Sequence, residues 1–200
     1  AGRGTLRQDA PPLTVHGRAE TVSGSDSAAS RLRTATVFTL EEIAQEWPAV
    51  TPPAAVAVFA AEALRRSRAI DCFDFVPTDY RVVYAVLSSL PRCSFCEWGS
   101  GIGIVTGIAA MLGFQAAGIE IHAGLAAASR ALLRDFGMEA RIETGDYLEM
   151  APVADLHFVY CWPGEALRVE AHFLAATPPQ ARLLFCNGAA DIRYRRKVAV

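Results

Sequence analysis

Apolar and polar positions alternate in short blocks from residue 93 onward, and the blocks predict strands and helices in turn. Short apolar runs predict strands at about 93–98, 116–121, 140–144, 155–161 and 181–186. Apolar residues three and four apart predict helices at about 103–112, 123–136 and 165–176. This alternation predicts a doubly wound, mostly parallel α/β sheet with helices on both faces.

The stretch before residue 71 is predicted to contain an irregular tail and then helices. Residues 1–34 are rich in Gly, Ser, Arg, Asp and Pro and lack periodicity, which is typical of a disordered or loosely attached segment. Thr39-Leu40-Glu41-Glu42 matches a capping box and predicts a short helix to about Trp47. The predicted division is a tail at 1–34, an N-terminal helical extension at 35–70 and an α/β domain at 71–200.

Two further helices are predicted before the alternating region. Thr51-Pro52-Pro53 favours a helix start, since proline is tolerated in a first turn, and the helix extends over about 54–68. Thr78 or Asp79 is a suitable N-cap for a helix at about 79–90. Gly137 stands where a left-handed residue would end the helix before it.

Composition excludes several classes of protein and partner. The chain is 52% hydrophobic and 20% charged, with a formal net charge of -2, which gives no global reason to expect nucleic acid or an anionic membrane as partner. Five cysteines do not suggest a disulfide framework and fit reduced thiols in a cytoplasmic protein. Cys93 and Cys96 have CxxC spacing, but on a strand they point to opposite faces, so no metal site is predicted. The nearly uncharged stretch 102–119 is divided by glycines and is interpreted as a turn, a helix and a strand.

An acidic residue and three glycines at alternate positions stand between a predicted strand and helix, in Glu97-Trp98-Gly99-Ser100-Gly101-Ile102-Gly103. A glycine-rich turn at such a place lets the backbone approach a nucleotide-like ligand, because no Cβ atom intervenes. The dinucleotide pattern GxGxxG does not fit, since its last glycine would fall on Ile104 or Thr106. The pattern that fits is acidic-x-Gly-x-Gly-x-Gly.

Polar residues also follow the later strands at the same predicted edge. Glu120 ends the second strand of the alternating region, Asp146 and Tyr147 follow the third, and Tyr160 ends the fourth. The carboxyl ends of parallel strands meet at one edge, which is where ligands bind in such sheets. Purely structural interpretations stay open: Glu120 as a solvated strand end, Asp146 as a turn or cap residue, and Tyr160 as a wall-filling aromatic.

The glycine segment resembles motif I of the class I S-adenosylmethionine-dependent methyltransferases, and the resemblance extends over about 75–186. Gly118-Ile119-Glu120-Ile121 looks like the strand end whose acid binds the ribose hydroxyls, and Gly145-Asp146-Tyr147 is similar to the loop whose acid binds the adenine amino group. Phe75-Val76-Pro77-Thr78 resembles a segment that closes over the methionine end in several branches. The resemblance implies a Rossmann-like fold, S-adenosyl-L-methionine as cofactor and methyl transfer as the activity.

The resemblance also implies a set of cofactor-binding residues, namely Thr78, Glu97, Gly99, Ser100, Gly101, Gly103, Glu120, Ile121, Asp146, Tyr147 and Tyr160. A carboxylate beside a vicinal diol accepts two hydrogen bonds, which suits Glu120. Glu97 lies beside the glycines and can accept from the ammonium group of the methionine moiety. The sulfonium charge is compatible with a nearby acid or aromatic face.

The methyl acceptor is expected beside Tyr160-Cys161-Trp162-Pro163. Some amine-directed branches have Asn/Asp-Pro-Pro-Tyr/Phe there, so the chain departs from adenine-type N-methyltransferases. The catalytic residues are unknown, with Tyr160 and Trp162 as candidates. The aromatic pair suits an apolar or cationic acceptor, either a small molecule or a protein side chain such as lysine. The arrangement loosely resembles small lysine methyltransferase branches with a Pro-Thr segment before motif I.

The end of the chain departs from the family pattern. The family closes its sheet with an antiparallel β-hairpin after the fifth parallel strand, but only residues 188–200 remain for it. The hairpin is therefore expected to be incomplete: either the chain is cut short, or its last strand is absent or replaced. The basic residues there are most simply a solvated strand or tail, with an acidic partner as the alternative: Arg193, Arg195, Arg196 and Lys197.

Two other functions fit part of the sequence. An aminopropyl transferase shares the fold, but it would need acids around a polyamine channel, which Tyr160-Cys161-Trp162-Pro163 does not supply. A non-catalytic module that binds S-adenosylmethionine needs only the glycines and Glu120. The sequence predicts neither the acceptor atom nor the oligomeric state.

Overall fold

The computed structural model describes residues 36–72, 75–150, 153–162, 164–188 and 190–200. The strands in these residues are β1 (Phe38–Glu42), β2 (Ser94–Trp98), β3 (Gln115–Glu120), β4 (Arg141–Thr144), β5 (Leu156–Tyr160), β6 (Arg182–Gly188) and β7 (Asp191–Ala199). The helices are α1 (Ala54–Ser67), α2 (Tyr80–Ser88), α3 (Ile104–Met111), α4 (Ala123–Asp135) and α5 (Ala166–Ala176). The predicted tail at 1–34 lies outside the described residues.

One mixed sheet contains all these strands in the order β1-β7-β6-β5-β2-β3-β4. The five strands from β6 to β4 in that order are parallel to one another. Helices α3, α4 and α5 connect successive parallel strands, which confirms the predicted alternation. The chain leaves β2 toward β3 on one side and later returns to β5 on the other. The carboxyl end of β2 is therefore at the point where strand order reverses, and such a point opens a crevice for ligands.

The core has two parts, one on each face of the sheet, because successive strand residues point to opposite faces. Phe95 of β2 and Leu184 of β6 pack with α1, α2, α3 and α4 on one face. Their neighbours Cys96 and Phe185 pack on the other face with Phe173 of α5. Helices thus cover both faces, as the near-continuous apolar strands require.

The structure shows capping geometry at two predicted helix boundaries, the start of α2 and the end of α4. The carboxylate of Asp79 accepts from the backbone N–H of Arg81 at 2.9 Å, so Asp79 is the N-cap of α2. Gly137 has a φ of 67° just after α4, in the left-handed region that ends helices. Local chemistry predicted the second boundary directly and the first to within one residue, since Thr78 was the other candidate N-cap.

The helix predicted from Thr39 to Trp47 is wrong. Residues 38–42 form β1, which pairs antiparallel with β7 in a register that places Glu41 opposite Arg196. A capping box would turn Glu42 back toward Thr39, but Glu42 lies 3.6 Å from the guanidinium of Arg193 instead. Pairing with a remote strand and its basic residues outweighs a local preference for a short helix, which would be only marginally stable by itself.

The expectation of an incomplete closing hairpin is confirmed, because within the described residues one strand, β7, follows the fifth parallel strand, β6. β6 and β7 form an antiparallel hairpin, and β1 occupies the edge beyond β7. Because β1 is antiparallel to β7, it points in the same direction as β6. An N-terminal strand therefore replaces the missing last strand, which was one of the alternatives left open by the sequence.

The basic residues of β7 have partners within the chain. Four ion pairs are formed: Arg193 with Glu42 and with Asp191, Arg195 with Glu170, and Arg196 with Glu41. Lys197 is buried and donates from Nζ to the carbonyl oxygens of Leu174 and Thr177, at the end of α5. The solvated-strand interpretation holds for Arg193 and Arg196, which are about half exposed, whereas Arg195 and Lys197 face α5.

The apolar stretch 102–119 divides as predicted into a turn, α3, a second turn and most of β3. Within the described ranges, no helix is both long and apolar enough to cross a membrane. The same ranges contain no cluster of His, Cys, Asp and Glu that could hold a metal ion, and Cys93 and Cys96 are free thiols.

Candidate functional site

The glycine loop, residues 99–103, joins β2 to α3 and lies over the end of β3. The backbone N–H groups of Gly99 and Ser100 both donate to the carbonyl oxygen of Ile119, at 2.9 and 2.8 Å. Gly99, Gly101 and Gly103 all have positive φ, between 53° and 84°. The loop is thus anchored to β3 in a conformation that L side chains rarely adopt.

Close packing adds a second requirement for glycine at two of these positions. A Cβ at Gly101 would lie 2.5 Å from the ring of Phe75, and one at Gly103 would lie 2.1 Å from the hydroxyl of Ser129 on α4. Gly101 therefore lets the segment before α2 approach the loop, while Gly103 lets α4 approach it. Gly99 has open space around its Cβ position, as a residue beside a ligand cavity can have.

Glu120 ties the end of β3 to the loop. Its Oε2 accepts from the backbone N–H of Gly101 at 2.6 Å, and its Oε1 accepts from that of His122 at 2.7 Å. Glu120 is buried, so these bonds compensate the cost of removing the carboxylate from water. The alternative interpretation of Glu120 as a solvated strand end is not what the structure shows.

Glu97 is buried at the end of β2 and caps α3. The N-cap residue Gly103 has no side chain to bind the first amides of the helix, and Glu97 Oε2 accepts from the N–H of Thr106 at 2.8 Å instead. The Thr106 hydroxyl donates to the same oxygen at 2.5 Å. Burial raises the pKa of Glu97 to about 8, the bonds from Thr106 lower it, and the charge of Glu120 raises it.

A cavity of about 360 Å³ opens between the glycine loop and the segment before α2. This volume is within the usual range of small-molecule sites. The predicted residues that line it are Thr78, Glu97, Gly99, Ser100, Gly101, Glu120, Ile121, Tyr147, Tyr160 and Trp162. Its described lining contains the carboxylates of Glu97 and Glu120 and no Lys or Arg side chain, so the charged groups there favour a cationic ligand.

Two predicted residues lie outside this lining, Gly103 and Asp146. Gly103 packs against α4. Asp146 accepts from the N–H of Leu148 at 2.8 Å, which is the turn role that the sequence left as its alternative. The structure thus separates Asp146 from the acids that face the cavity.

Sequence reasoning missed several lining residues, namely Cys72, Trp98, Ile102, Ile104, Val105, His122 and Leu125. His122 is the N-cap of α4, and its Nδ1 accepts from the N–H of Leu125 at 3.2 Å. Its position directly after the predicted acidic strand end was a signal that could have identified it. The apolar lining residues look like ordinary core residues in the sequence, and only the packing of the folded chain places them beside the cavity.

A stacked aromatic pair forms one wall of the cavity. The rings of Trp98 and Tyr147 are 5.4 Å apart with an interplanar angle of 10°. Trp98 is fully buried and also contacts His157 and Phe173 behind the wall. The wall is therefore backed by core packing, and burial raises the pKa of Tyr147 to about 12, so its hydroxyl stays protonated at neutral pH.

The candidate catalytic residues belong to the same cavity lining. Tyr160 ends β5 and is half-buried, while the side chain of Trp162 is 47% exposed. Both line the cavity, together with Phe75 and Val76. Pro163, the last residue of the predicted acceptor segment, lies outside the described residues.

The hydroxyl of Ser100 indicates that the lining suits a polar ligand. Its hydroxyl is buried and has no hydrogen-bond partner among the described residues, although it belongs to the cavity lining. Such an unpaired buried group is costly unless something binds it. The hydroxyl, the backbone of the glycine loop and two carboxylates together suit a ligand with hydroxyls and positive charge.

No family model and no curated protein matches the sequence, and the similarities found are structural. The S-adenosylhomocysteine-bound methyltransferase PaMTH1 of Podospora anserina is 14% identical with a TM-score of 0.56, over 68% of this chain and 63% of its own. An RNA methyltransferase of Salinibacter ruber, in complex with S-adenosyl-L-homocysteine, is 17% identical with a TM-score of 0.48, over 74% of this chain and 93% of its own. The mitomycin 7-O-methyltransferase MmcR is 21% identical with a TM-score of 0.48, over 54% of this chain and 35% of its own.

The first of these similarities shows that this chain has the fold of the class I S-adenosylmethionine-dependent methyltransferases. The resemblance seen in the sequence is thus confirmed at the level of the fold. The chain spans less than two thirds of the length of PaMTH1 and about a third of MmcR.

Proposed function

We propose that this protein is an S-adenosylmethionine-dependent methyltransferase. The observation that supports it most directly is the convergence of the glycine loop, Glu97 and Glu120 on one cavity at the carboxyl ends of β2 and β3. The fold and the known ligand of PaMTH1 support the same proposal.

The lining residues divide by the part of the cofactor that each can hold. Glu120 has both oxygens on backbone N–H groups, but a carboxylate has about four lone-pair sites and can also accept from ribose hydroxyls. Glu97 suits the ammonium group of the methionine end. Ile121 is 67% exposed beside the cavity and offers an apolar surface to the adenine ring. Asp146 is left out of this proposal because it lies outside the described lining.

The cofactor supplies a methyl group on a positively charged sulfur, which a nucleophile can displace directly. The chain's task is then to align the acceptor with that carbon and to exclude water, and alignment alone can account for much of a rate enhancement. Phe75, Val76 and Tyr160 surround the opening with mostly apolar surface. We assign no general base, and an acceptor that arrives deprotonated needs none.

The acceptor side favours an apolar or cationic group. Tyr160 and Trp162 place aromatic surface at the opening, and no Lys or Arg stands among the described lining residues. Aromatic faces attract cations, whereas nucleic-acid backbones are usually bound by basic side chains. A small amine or a protein lysine is therefore the acceptor that we propose first, and its ammonium form loses a proton to solvent before the nitrogen lone pair attacks the methyl carbon.

Calorimetry with S-adenosylmethionine, S-adenosylhomocysteine and NAD tests the proposal. Binding of both sulfur nucleosides is expected, and saturable binding of NAD alone would contradict it. Incubation with radiolabelled S-adenosylmethionine and a panel of amines, lysine peptides and RNA then tests for methyl transfer. Tight binding without any incorporation would instead favour a non-catalytic module.

A further inference from the structure

Thr106 makes a paired contact with Glu97 that the proposed function does not by itself require. The residue lies in the first turn of α3 and is fully buried. Its backbone N–H and its hydroxyl both donate to Glu97 Oε2, at 2.8 and 2.5 Å. One carboxylate oxygen is therefore fixed by a single residue from two directions.

The other oxygen of Glu97 is the one available to a ligand. Among the described residues, every hydrogen bond to the Glu97 carboxylate reaches Oε2, and Glu97 lines the cavity. A carboxylate held at one oxygen cannot rotate freely, so the direction of Oε1 is set by Thr106. Preorganised acceptors of this kind bind charged groups more strongly than mobile ones do.

Packing shows that the Thr106 hydroxyl has a fixed place. A Cβ at Gly118 of β3 would lie 2.7 Å from the hydroxyl oxygen of Thr106, so β3 leaves just enough room for it. The hydroxyl thus lies between the strand and the acid, with little freedom to turn elsewhere.

We propose that Thr106 is a positioning residue for Glu97, fixing one carboxylate oxygen so that the other binds the ammonium group of the cofactor's methionine end. This inference rests on the proposed function, because the cationic group belongs to the proposed cofactor. It adds Thr106 of α3, a residue outside the glycine loop, to the residues proposed to recognise the methionine end of the cofactor.

Electrostatics gives the contact its importance at pH values near the pKa of Glu97. Burial raises the pKa of Glu97 to about 8, and the two bonds from Thr106 oppose that rise. The other titratable groups that line the cavity are Cys72 before α2, Glu120 of β3, His122 at the start of α4, Tyr147 after β4 and Tyr160 of β5. None of them is a Lys or Arg, so the two donors of Thr106, which lie behind the lining, are the described hydrogen-bond donors that favour the ionised form of Glu97.

Calorimetry with two ligands tests the role of Thr106. S-Adenosylhomocysteine has the amino-acid end, and methylthioadenosine lacks it. Thr106→Val keeps the backbone donor and the shape of the side chain but removes the hydroxyl. At pH 8.5, above the pKa of Glu97, we expect it to bind S-adenosylhomocysteine about tenfold more weakly or worse, as loss of a bond to a charged group implies, and methylthioadenosine as the wild type does. Thr106→Ser restores the hydroxyl and is expected to restore the affinity.

A pH series distinguishes positioning from a general packing defect. With Thr106→Val, the rise in affinity for S-adenosylhomocysteine that accompanies ionisation of Glu97 is expected to move to higher pH. The ligand's own amino group also titrates, at a higher pH than a peptide amino terminus because its carboxylate is free, but equally for every variant. Thr177→Val is the matched control, since Thr177 is a buried threonine whose hydroxyl donates to Phe173 at the end of α5, far along the chain from Glu97.

Three results would overturn the inference. An unchanged affinity of Thr106→Val for S-adenosylhomocysteine shows that the hydroxyl does not position Glu97. Equal losses for both ligands show that Thr106 only supports packing. If the wild type binds methylthioadenosine and S-adenosylhomocysteine equally well, the ammonium group is not recognised at all. A separate outcome, a wild type that binds neither ligand, would contradict the proposed function itself.

Discussion

The carboxylate of Glu120 accepts a hydrogen bond from the backbone N–H of Gly101 at 2.6 Å, which joins β3 to the glycine loop. Its other oxygen holds the N–H of His122 at the start of α4. Three elements around the cavity therefore depend on one side chain, and a ligand that binds Glu120 meets a carboxylate whose orientation is already fixed.

Replacing Glu120 is expected to weaken cofactor binding. Glutamine has one acceptor oxygen, so Glu120→Gln leaves an amide NH₂ facing one of two backbone N–H donors. We expect calorimetry to show a loss of about 1 to 3 kcal/mol for S-adenosylmethionine, the usual cost of stranding buried polar groups, and at least as much for Glu120→Ala. Glu143→Gln is the control, because Glu143 is exposed on β4. Equal affinity of Glu120→Gln and the wild type would refute this role.

Alanine at Gly103 is expected to destabilise the fold by two separable effects. The positive φ of 84° costs about 1 to 2 kcal/mol, and a Cβ placed 2.1 Å from the Ser129 hydroxyl adds about 1 to 3 kcal/mol of overpacking. Gly113→Ala separates them, since Gly113 has a φ of 87° and open space around its Cβ position. Urea unfolding should show the larger loss for Gly103→Ala, with partial recovery in the double variant with Ser129→Ala. Equal losses for the two glycine variants would show that the contact with α4 is unimportant.

Glu97→Gln is expected to change how stability depends on pH. The pKa of Glu97 is about 8 in the folded protein and near 4.5 otherwise, because burial disfavours the charged form. Between those values the folded state holds a proton that the unfolded chain lacks. The stabilisation is therefore complete below about pH 4.5 and is lost as the pH rises through about 8.

Glutamine cannot ionise, and its single oxygen can still accept from both donors of Thr106. Relative to the wild type, the free energy of unfolding of Glu97→Gln should therefore rise with pH by up to about 1.4 kcal/mol per unit within that window. Urea unfolding at several pH values between 5 and 9 measures it, and Glu143→Gln should show no such trend. A constant difference between Glu97→Gln and the wild type would mean that Glu97 is ionised throughout.

The two ion pairs that hold β7 are expected to differ in strength. Glu41 and Arg196 are about half exposed, whereas the side chains of Arg195 and Glu170 are 16% and 26% exposed. Double-mutant cycles with alanine should give a coupling of about 0.2 to 1 kcal/mol for the Glu41–Arg196 pair and a larger one for the Arg195–Glu170 pair, because solvent screens the exposed charges more. The reverse order would show that exposure does not decide these couplings.

Much of the candidate site was predictable because its signal is local. Glu97, the glycines and Glu120 occur at strand ends, and a parallel sheet brings such ends together whatever the details of its packing. Asp146 has the same kind of position, but its carboxylate binds the N–H of Leu148, two residues away. Sequence cannot decide between these outcomes, because a side chain after a strand can turn either toward the cavity or toward its own backbone.

The sequence by itself determined the parallel part of the sheet, the helix boundaries at Asp79 and Gly137, and the loop after β2. In each case the period of apolar residues or the chemistry of one residue acts within a few positions. Tertiary structure decided that residues 38–42 form an edge strand, because the partner that makes them one is β7, more than 150 residues away in the chain. It also decided that Thr106 faces Glu97, since a buried threonine in an apolar helix shows no sign of its partner until β2 and α3 are packed together.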